Sequence, residues 1–212
     1  VKLTNLKLLR LNSANLYGEI PAKVLAALPK LTELSFQRNT LSGEVPSKIS
    51  VLTNLQVLKL ADNELSGSLS FITKLGELHE LKLDDNKFTG SLPTGLSKLT
   101  KLLKFSLEDN LLTGGIPQEI SALKNIQSFN LGENQIDGPI PSEIGTLTNL
   151  MSLKLFGNML SGPIPQFLTK LRNLNEIILS RNQFVGSVPP FFSTLIMLTK
   201  LLLSDNKLVG AV

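Results

Sequence analysis

Few residues of this chain have the chemistry that catalysis needs. The 212 residues include no Cys and a single His, His79, with no second His to complete a metal site. A Cys nucleophile, a thiolate zinc site and a disulfide are therefore excluded, and His79 is expected to pack or to lie at the surface. The chain also lacks a phosphate-binding glycine loop and a Gly-x-Ser-x-Gly nucleophile turn. The sequence predicts no enzyme, no cofactor and no metal ion.

The charges are too mild and too scattered for a nucleic-acid-binding protein. Lys and Arg number 21 against 17 Asp and Glu, a formal charge of +4. The lysines stand singly, without the basic run or aromatic platform that nucleic-acid binding needs, so we expect no nucleic-acid partner. No apolar run approaches the length of about 18 residues that a membrane helix needs, so we expect no membrane span within this chain.

One set of residues recurs through the whole chain with a period of 24 residues. Asn returns in coil after coil, Gly follows it by four residues, and Pro follows most of the glycines by three. Ala14 stands in the first Asn position, which gives nine coils, and Ser70 replaces one Pro. The recurring positions are Asn39, Asn63, Asn86, Asn110, Asn134, Asn158, Asn182 and Asn206; Gly18, Gly43, Gly67, Gly90, Gly114, Gly138, Gly162, Gly186 and Gly210; and Pro21, Pro46, Pro93, Pro117, Pro141, Pro165 and Pro189.

Each recurring residue has a physical role in a stacked coil. Leu150, Leu153 and Leu155 have the spacing of a short strand with alternate side chains inward, and one coil cannot bury that face alone. An inward Asn can hydrogen-bond the unpaired backbone of its own coil and of the neighbouring coil. Gly permits backbone angles that a Cβ penalises, and Pro fixes φ, so the chain leaves the strand at a set angle. Such a period predicts stacked coils around one continuous core.

The repeat resembles that of a known family. The segment "LMSLKLFGNMLSGPIPQFLTKLRNL", residues 150–174, matches "LxxLxLxxNxLxGxIPxxLxxLxxL" of plant-type leucine-rich repeat (LRR) proteins, and the match covers essentially the whole chain. That family includes receptor-like kinase ectodomains and polygalacturonase-inhibitor-like proteins. The resemblance implies an α/β solenoid, a right-handed superhelix of about nine 24-residue coils with a concave parallel β-sheet. It also implies that the concave face recognises proteins, peptides or carbohydrate-related ligands.

Residues 1–212 are expected to form a single LRR array that lacks both terminal caps. The first coil begins at its strand and the last ends at "NKLVGAV", so the polar caps that a solenoid needs are not in this sequence, and we expect a fragment of a longer protein. The resemblance implies an extracellular or cell-surface location. The lack of Cys and of Asn-x-Ser/Thr glycosylation sites favours the alternative of an intracellular location.

Outward-pointing residues of the predicted concave strands are free of the core and are the candidate binding residues. Acidic side chains gather in four middle coils, and three lysines stand beside them. One interpretation is mutual neutralisation across strands, in which each exposed pair contributes about 0–1 kcal/mol. The other is that the acidic side recruits a basic peptide or protein surface. The residues are Asp62, Asp84, Asp85, Glu108, Asp109 and Glu133, with Lys59, Lys82 and Lys104.

A second candidate surface is apolar. Phe156, Met159, Ile178 and Leu202 occupy outward or near-outward positions in three consecutive coils. A contiguous apolar group on a binding face suggests an anchor for a partner, and aromatic residues are common hot spots. Cover by a further segment of the protein, or no role at all, are the alternatives.

The sequence favours a non-catalytic module that recognises a protein or peptide, of basic character, through its concave face. The alternative is a structural or assembly subunit that docks through its uncapped ends. Ice binding is a third possibility, because Thr4, Thr53, Thr100 and Thr148 share one register position, but other residues interrupt the array that ice binding needs.

Overall fold

Nine stacked coils form a solenoid in the computed structural model, which describes residues 3–210. Each coil contributes one short strand to a nine-stranded parallel sheet, in which strands follow one another in chain order. Equivalent residues of adjacent coils pair directly, as Leu34 does with Leu58. The predicted α/β solenoid with a parallel sheet of about nine strands is confirmed. The strands of this concave sheet are β1 (Leu8–Arg10), β3 (Glu33–Ser35), β5 (Val57–Lys59), β7 (Glu80–Lys82), β9 (Lys104–Ser106), β11 (Ser128–Asn130), β13 (Ser152–Lys154), β15 (Glu176–Ile178) and β17 (Lys200–Leu202).

A second parallel sheet of nine strands, the lateral sheet, follows the Asn position in each coil. Sequence reasoning missed it, because strands of two to five residues that contain a Gly show no apolar alternation to read. Its register is offset, since Ser42 pairs with Glu64 rather than with the equivalent Ser66. Its strands are β2 (Tyr17–Gly18), β4 (Thr40–Glu44), β6 (Glu64–Ser68), β8 (Lys87–Gly90), β10 (Leu111–Gly114), β12 (Gln135–Gly138), β14 (Met159–Pro163), β16 (Gln183–Gly186) and β18 (Lys207–Leu208).

Short helices complete each coil on the convex side. In most coils the recurring Pro lies directly before the helix with extended backbone, as Pro93 does (φ −74°, ψ 139°). Proline suits this position because its fixed φ and missing N–H cost nothing at a helix start. The helices are α1 (Ala22–Ala26) and the 3₁₀ helices η1 (Ser47–Val51), η2 (Leu69–Lys74), η3 (Thr94–Lys98), η4 (Gln118–Ala122), η5 (Ser142–Thr146), η6 (Gln166–Lys170) and η7 (Pro190–Thr194).

The core is a continuous column of leucine, isoleucine and phenylalanine between the sheets and the helices. Phe105 and Phe129 lie in adjacent coils with no exposed surface and stack with ring centroids 5.3 Å apart. Parallel offset rings contribute about 0.5–1.5 kcal/mol beyond their buried area.

The recurring asparagines form the predicted ladder. In coil 6, Asn134 Nδ2 donates to the carbonyls of Leu107, Leu131 and Gly132 at 2.9–3.2 Å, and its Oδ1 accepts from the backbone N–H of Leu112 at 3.0 Å. One side chain thus satisfies buried backbone in two coils, which an apolar residue cannot do. The same contacts recur from Asn39 to Asn206.

A second, outer asparagine ladder was not predicted. Asn125, Asn149 and Asn173 each donate Nδ2 at 2.8 Å to a carbonyl 25 residues earlier, at the turn that precedes the concave strand. Asn54 makes the same contact at 3.5 Å. The signal lies in the recurring "TNL" and "KNI" segments, but Lys30, Glu77 and Lys101 occupy the same position in other coils, so the sequence shows no continuous ladder.

Candidate ligand-binding surface

The residue that directly precedes each ladder Asn has left-handed backbone, with φ between 51° and 61° from coil 1 to coil 9. We call these positions the left-handed column. They are Ser13, Arg38, Asp62, Asp85, Asp109, Glu133, Gly157, Arg181 and Asp205. Because a Cβ is strained in this conformation, and Asn, Asp and Gly tolerate it best, the column is not free of the fold's demands as the sequence suggested. The backbone conformation therefore explains in part why Asp is frequent in this column.

Three carboxylates of this column stand in consecutive coils without full compensation. Asp85 and Asp109 are exposed, and Asp62 has only Arg38, at 4.0 Å. Partial burial, together with the carboxylates of Asp62 and Asp109, raises the pKa of Asp85 above its ordinary value. A raised carboxyl pKa means that the charged form is disfavoured here. We call Asp62, Asp85 and Asp109 the acidic run.

Asp84 does not belong to this exposed surface, which corrects the expectation from sequence. Its relative exposure is 6%. The side chain accepts hydrogen bonds from the Ser106 hydroxyl at 2.5 Å and from the Glu108 backbone N–H at 2.9 Å in the next coil. Burial outweighs these bonds and raises the pKa of Asp84. Asn12 bonds Ser35 and Gln37 in the same way at the equivalent position, so Asp84 is a structural link between coils.

The predicted lysines are partly neutralised. Lys59 Nζ lies 3.0 Å from Glu80, and Lys82 Nζ lies 3.7 Å from Asp84. Within residues 3–210, Lys104 has no carboxylate oxygen within 4 Å. Neutralisation therefore accounts for two of the three lysines, Lys59 across strands and Lys82 within its own coil. It leaves Asp85 and Asp109 without an ion pair among the described residues.

Coils 6 to 8 contain a cluster of aromatic and ionic contacts among Glu133, Phe156 and Arg181, which we call the Phe156 cluster. Phe156 is half-buried and lies over Gly132, where any side chain would clash with the ring. The guanidinium of Arg181 stacks 5.7 Å from the centre of the ring and pairs with the carboxylate of Glu133, two coils away. Gly157 leaves the space through which Glu133 reaches. The two glycines and the cation–π contact were not foreseen from sequence.

The predicted contiguous apolar patch is broken up. Ile178 has only 9% exposure, because Lys154 and Leu202 flank it on the sheet at strand spacing. Met159 is exposed but begins β14 of the lateral sheet, away from the concave strands. Leu202 remains exposed, at 42%, on the last concave strand. Of the four predicted residues, Phe156 and Leu202 therefore remain as apolar surface on the concave side.

Glu176 connects three coils and was missed from sequence. Its carboxylate accepts from Lys154 at 3.1 Å, Lys200 at 2.9 Å and the Ser152 hydroxyl at 2.8 Å. Burial by itself would raise the pKa of Glu176, but the hydrogen bonds from Lys200, Ser152 and Lys154 lower it to about 2. The carboxylate is therefore charged at all physiological pH values and holds two lysines in place.

The remaining functional residue types have ordinary surroundings. His79 is half-buried, and its Nδ1 lies 2.9 Å from the Glu77 carbonyl oxygen. Over the part of the chain that the structure describes, no three His, Cys, Asp or Glu side chains form a group that could hold a metal ion. Across the same residues, no helix has the length and apolarity to span a bilayer.

Comparison with known proteins shows similarity to leucine-rich repeat proteins. The family model described as "Leucine Rich Repeat" matches residues 77–99, 125–147, 149–171 and 173–195. A leucine-rich repeat receptor-like serine/threonine-protein kinase of Arabidopsis thaliana is 39% identical over 61 residues, which are 29% of this chain and 6% of that protein.

Two solved structures extend the similarity to the whole array. The LRR ectodomain of the Arabidopsis thaliana membrane receptor kinase GASSHO1/SCHENGEN3, in complex with CASPARIAN STRIP INTEGRITY FACTOR 2, shares 40% identity with a TM-score of 0.96. The alignment covers 99% of this chain and 25% of that one. The Arabidopsis receptor kinase HAESA, in complex with the peptide hormone IDA and the co-receptor SERK1, shares 36% identity with a TM-score of 0.86, over 91% of this chain and 32% of that one. The chain thus spans a third or less of these ectodomains.

A plant ice-binding protein is also similar, at 30% identity and a TM-score of 0.73, over 92% of this chain and 71% of that one. Thr4, Thr53, Thr100 and Thr148 all lie exposed in the turns that precede concave strands. These four threonines occur in every second coil, so they form no continuous row of the kind that the ice-binding hypothesis needs.

Proposed function

Because this chain is a plant-type leucine-rich repeat protein, we propose that it is a non-catalytic recognition module that binds a peptide or protein segment along its concave face. The similar ectodomain of HAESA binds a peptide hormone and a co-receptor, which supports a peptide-binding role for the same fold here. The similarity to the ectodomain of the receptor kinase GASSHO1/SCHENGEN3 and to a receptor-like kinase also supports a location outside the cell.

The acidic run is the observation that carries this proposal. Left-handed backbone explains why Asp is tolerated at Asp62, Asp85 and Asp109, but Asn and Gly suit that conformation equally well and add no repulsion. Three negative charges at about 4.8 Å strand spacing therefore cost stability without a conformational gain. A basic ligand segment would remove this repulsion on binding, and so we assign it to the acidic run.

The Phe156 cluster would form the other end of the same binding surface. Phe156 offers an aromatic edge two coils beyond Asp109, and Glu133 continues the acidic side of the left-handed column. A ligand cation near this point competes with Arg181 for the Glu133 carboxylate. Glu133 and Phe156 would therefore contribute less affinity than Asp85 and Asp109, which form no ion pair among the described residues.

The proposal can be tested with a labelled 12-residue peptide that alternates Lys and Gly, and with a Glu–Gly peptide as its acidic counterpart. We expect the basic peptide alone to bind, with affinity that falls about tenfold between low and physiological salt, because the contacts are exposed charges. The double variant Asp85→Asn/Asp109→Asn should weaken binding about tenfold. Fluorescence anisotropy measures both effects.

A matched control removes two carboxylates from the convex side. Glu119→Gln/Glu143→Gln changes the net charge equally, at η4 and η5, and should leave peptide affinity within about twofold. If both double variants weaken binding alike, the effect is one of net charge and the concave assignment fails. If the acidic peptide binds as well as the basic one, the basic character of the ligand is wrong.

Assembly through the ends is the second candidate function. A cleft of about 410 Å³ at the first coil, lined by Leu3, Leu6, Leu9 and Leu28, opens the apolar core to the surface. Residues 1–2 and 211–212, on which the prediction of missing caps partly depends, lie outside the described residues. Light scattering distinguishes the two functions: concentration-dependent growth without ligand favours end-to-end assembly, and a stable monomer favours the recognition module.

A further inference from the structure

An irregular coil opens a polar cleft on the side away from the concave sheet. The segment between Asn63 and Asn86 is one residue shorter than the 24-residue period, and Ser70 stands where other coils have Pro. Helix η2 therefore starts at Leu69, directly after strand β6 ends at Ser68, without the usual connector. The helix buries Phe71 in addition to Leu69 and Ile72, whereas η3 buries only Leu96. A cleft of about 410 Å³ lies between η1 and η2.

The cleft lies on one side of η2 and not on the other. On the far side of η2, Thr73 packs so closely against η3 that a Cβ at Gly95 would clash with it. On the near side, η1 and η2 stand apart, and the space between them is open to solvent. Its volume falls within the range of about 300–1,000 Å³ found for small-molecule sites.

Four hydroxyl groups form a two-by-two grid on the walls. In a 3₁₀ helix, residues three apart eclipse one another, so Ser47 and Ser50 lie on one face of η1, and Ser70 and Thr73 lie on one face of η2. Counted back from Leu52 and Leu75, after the one-residue deletion, Ser47 is equivalent to Ser70, and Ser50 to Thr73. Ser68 adds a fifth hydroxyl, which donates to Ser70 Oγ at 3.1 Å. Thr73 Oγ1 already donates to the Ser70 carbonyl at 2.9 Å and can only accept from a ligand. The hydroxyls of Ser47, Ser50 and Ser70 can each donate one hydrogen bond and also accept.

Two opposite charges complete the lining. Glu44 ends strand β4, with its carboxylate over Gly67, and Lys74 ends η2. Among residues 3–210, neither side chain forms an ion pair or a side-chain hydrogen bond with another residue. Val45 and Phe71 give the cleft an apolar floor.

We propose that this cleft binds a neutral polyhydroxylated ligand, a short oligosaccharide. Such a ligand donates hydrogen bonds to Glu44, accepts them from Lys74 and exchanges them with the hydroxyl grid, and it brings no charge that either side chain would repel. An anionic ligand would satisfy Lys74 but oppose Glu44, and a cationic ligand would do the reverse. The site is independent of the concave face, so its ligand and the proposed peptide can be bound together.

The probes are cellotetraose and maltotetraose, which are neutral, and tetragalacturonic acid, which is anionic. With ¹⁵N-labelled protein, we expect a neutral tetrasaccharide at about 10 mM to shift the backbone signals of residues 44–50 and 68–74, and to leave those of the acidic run unchanged. The variant Glu44→Gln/Ser50→Ala should weaken binding at least fivefold, with an unchanged melting temperature because both side chains are partly exposed.

Glu119→Gln/Ser121→Ala is the matched control, because Ser121 is the register equivalent of Ser50 in η4, and it should bind like the wild type. The proposal is overturned if neither neutral sugar shifts the cleft signals, if tetragalacturonic acid alone does so, or if the control loses as much affinity as the cleft variant. If the wild-type protein binds the neutral sugar but not the basic peptide, the proposed function of the concave face is refuted and this inference stands.

Discussion

At the scale of single residues, several side chains whose register points them away from the core hold neighbouring coils together. Asp84 and Asn12 share a column position and both cap the next coil, one as a carboxylate and one as an amide. Glu176 holds two lysines and a serine from both neighbouring coils. The surface that is available to a ligand is therefore smaller than the set of outward-pointing residues.

Asp85→Asn should stabilise the protein. The folded pKa of Asp85 is raised, so the charged form is destabilising above that pKa and the penalty disappears as the pH falls through it. Asn keeps the left-handed backbone and removes the charge; solvent screening limits the gain to about 0.5–1 kcal/mol at neutral pH. Urea unfolding at neutral and acidic pH measures it, and the gain should shrink at acidic pH. Asp205→Asn, with the same backbone but outside the acidic run, should change stability less.

Glu176→Gln should destabilise the protein by about 1–2 kcal/mol at neutral pH. The pKa of Glu176 is lowered to about 2 from a usual value near 4.5, so its contribution is complete above the unfolded pKa and is lost as the pH falls from 4.5 towards 2. Glu64→Gln, which breaks one exposed pair with Lys87, should cost less than about 0.5 kcal/mol. Equal losses in the two variants at neutral pH would contradict the proposed role of Glu176.

At the scale of elements, the two asparagine ladders differ in burial and therefore in expected energy. Asn134 satisfies four backbone groups and has 8% exposure, whereas Asn149 makes one bond from an exposed position. Removing the first leaves buried N–H and C=O groups without partners, and removing the second exposes one carbonyl to water.

Asn134→Ala should therefore cost about 2–4 kcal/mol, and Asn149→Ala less than about 1 kcal/mol. Thermal unfolding of the two variants beside the wild type provides the comparison. A small loss for Asn134→Ala would mean that water replaces its contacts in the coil interior.

The elements that could be predicted from sequence are those with a strict residue requirement. Leu, Asn, Gly and Pro each meet a structural requirement that few other residues meet, so the coil, the parallel strand in each coil and the inner asparagine ladder could be predicted. The lateral sheet could not be predicted, because its short strands around Gly138 or Gly162 show no alternation. The burial of Asp84 and Ile178 could not be predicted either, because it depends on side chains from neighbouring coils that cover them.

At the scale of the whole molecule, stability is a sum over coils and the interfaces between them. The ladder asparagines of coils 4 to 8 are buried, whereas Asn39 and Asn206 near the two ends remain partly exposed. Each coil contacts only its neighbours, so opening is expected to start at the ends and to proceed inward.

Hydrogen exchange should show this gradient. The amides of Leu112 and Ile136, which donate to ladder asparagines in the middle, should exchange more slowly than those of Leu16 and Phe184 near the ends. Mass spectrometry of peptic fragments resolves these segments. Uniform protection along the chain would instead mean that all nine coils unfold in a single cooperative step.

The left-handed column has a practical consequence for mapping any ligand of this protein. Alanine scanning assumes that truncation removes side-chain contacts and changes nothing else. Alanine at Asp62, Asp85 or Asp109 would also carry a conformational cost of up to about 1–2 kcal/mol, because it tolerates left-handed backbone less well than Asp does. A reduced affinity could then report a distorted turn and be mistaken for a lost contact. Asparagine or glycine is the correct replacement at these positions, because both tolerate the left-handed backbone. A scan that uses them separates the loss of ligand contacts from the distortion of the turn.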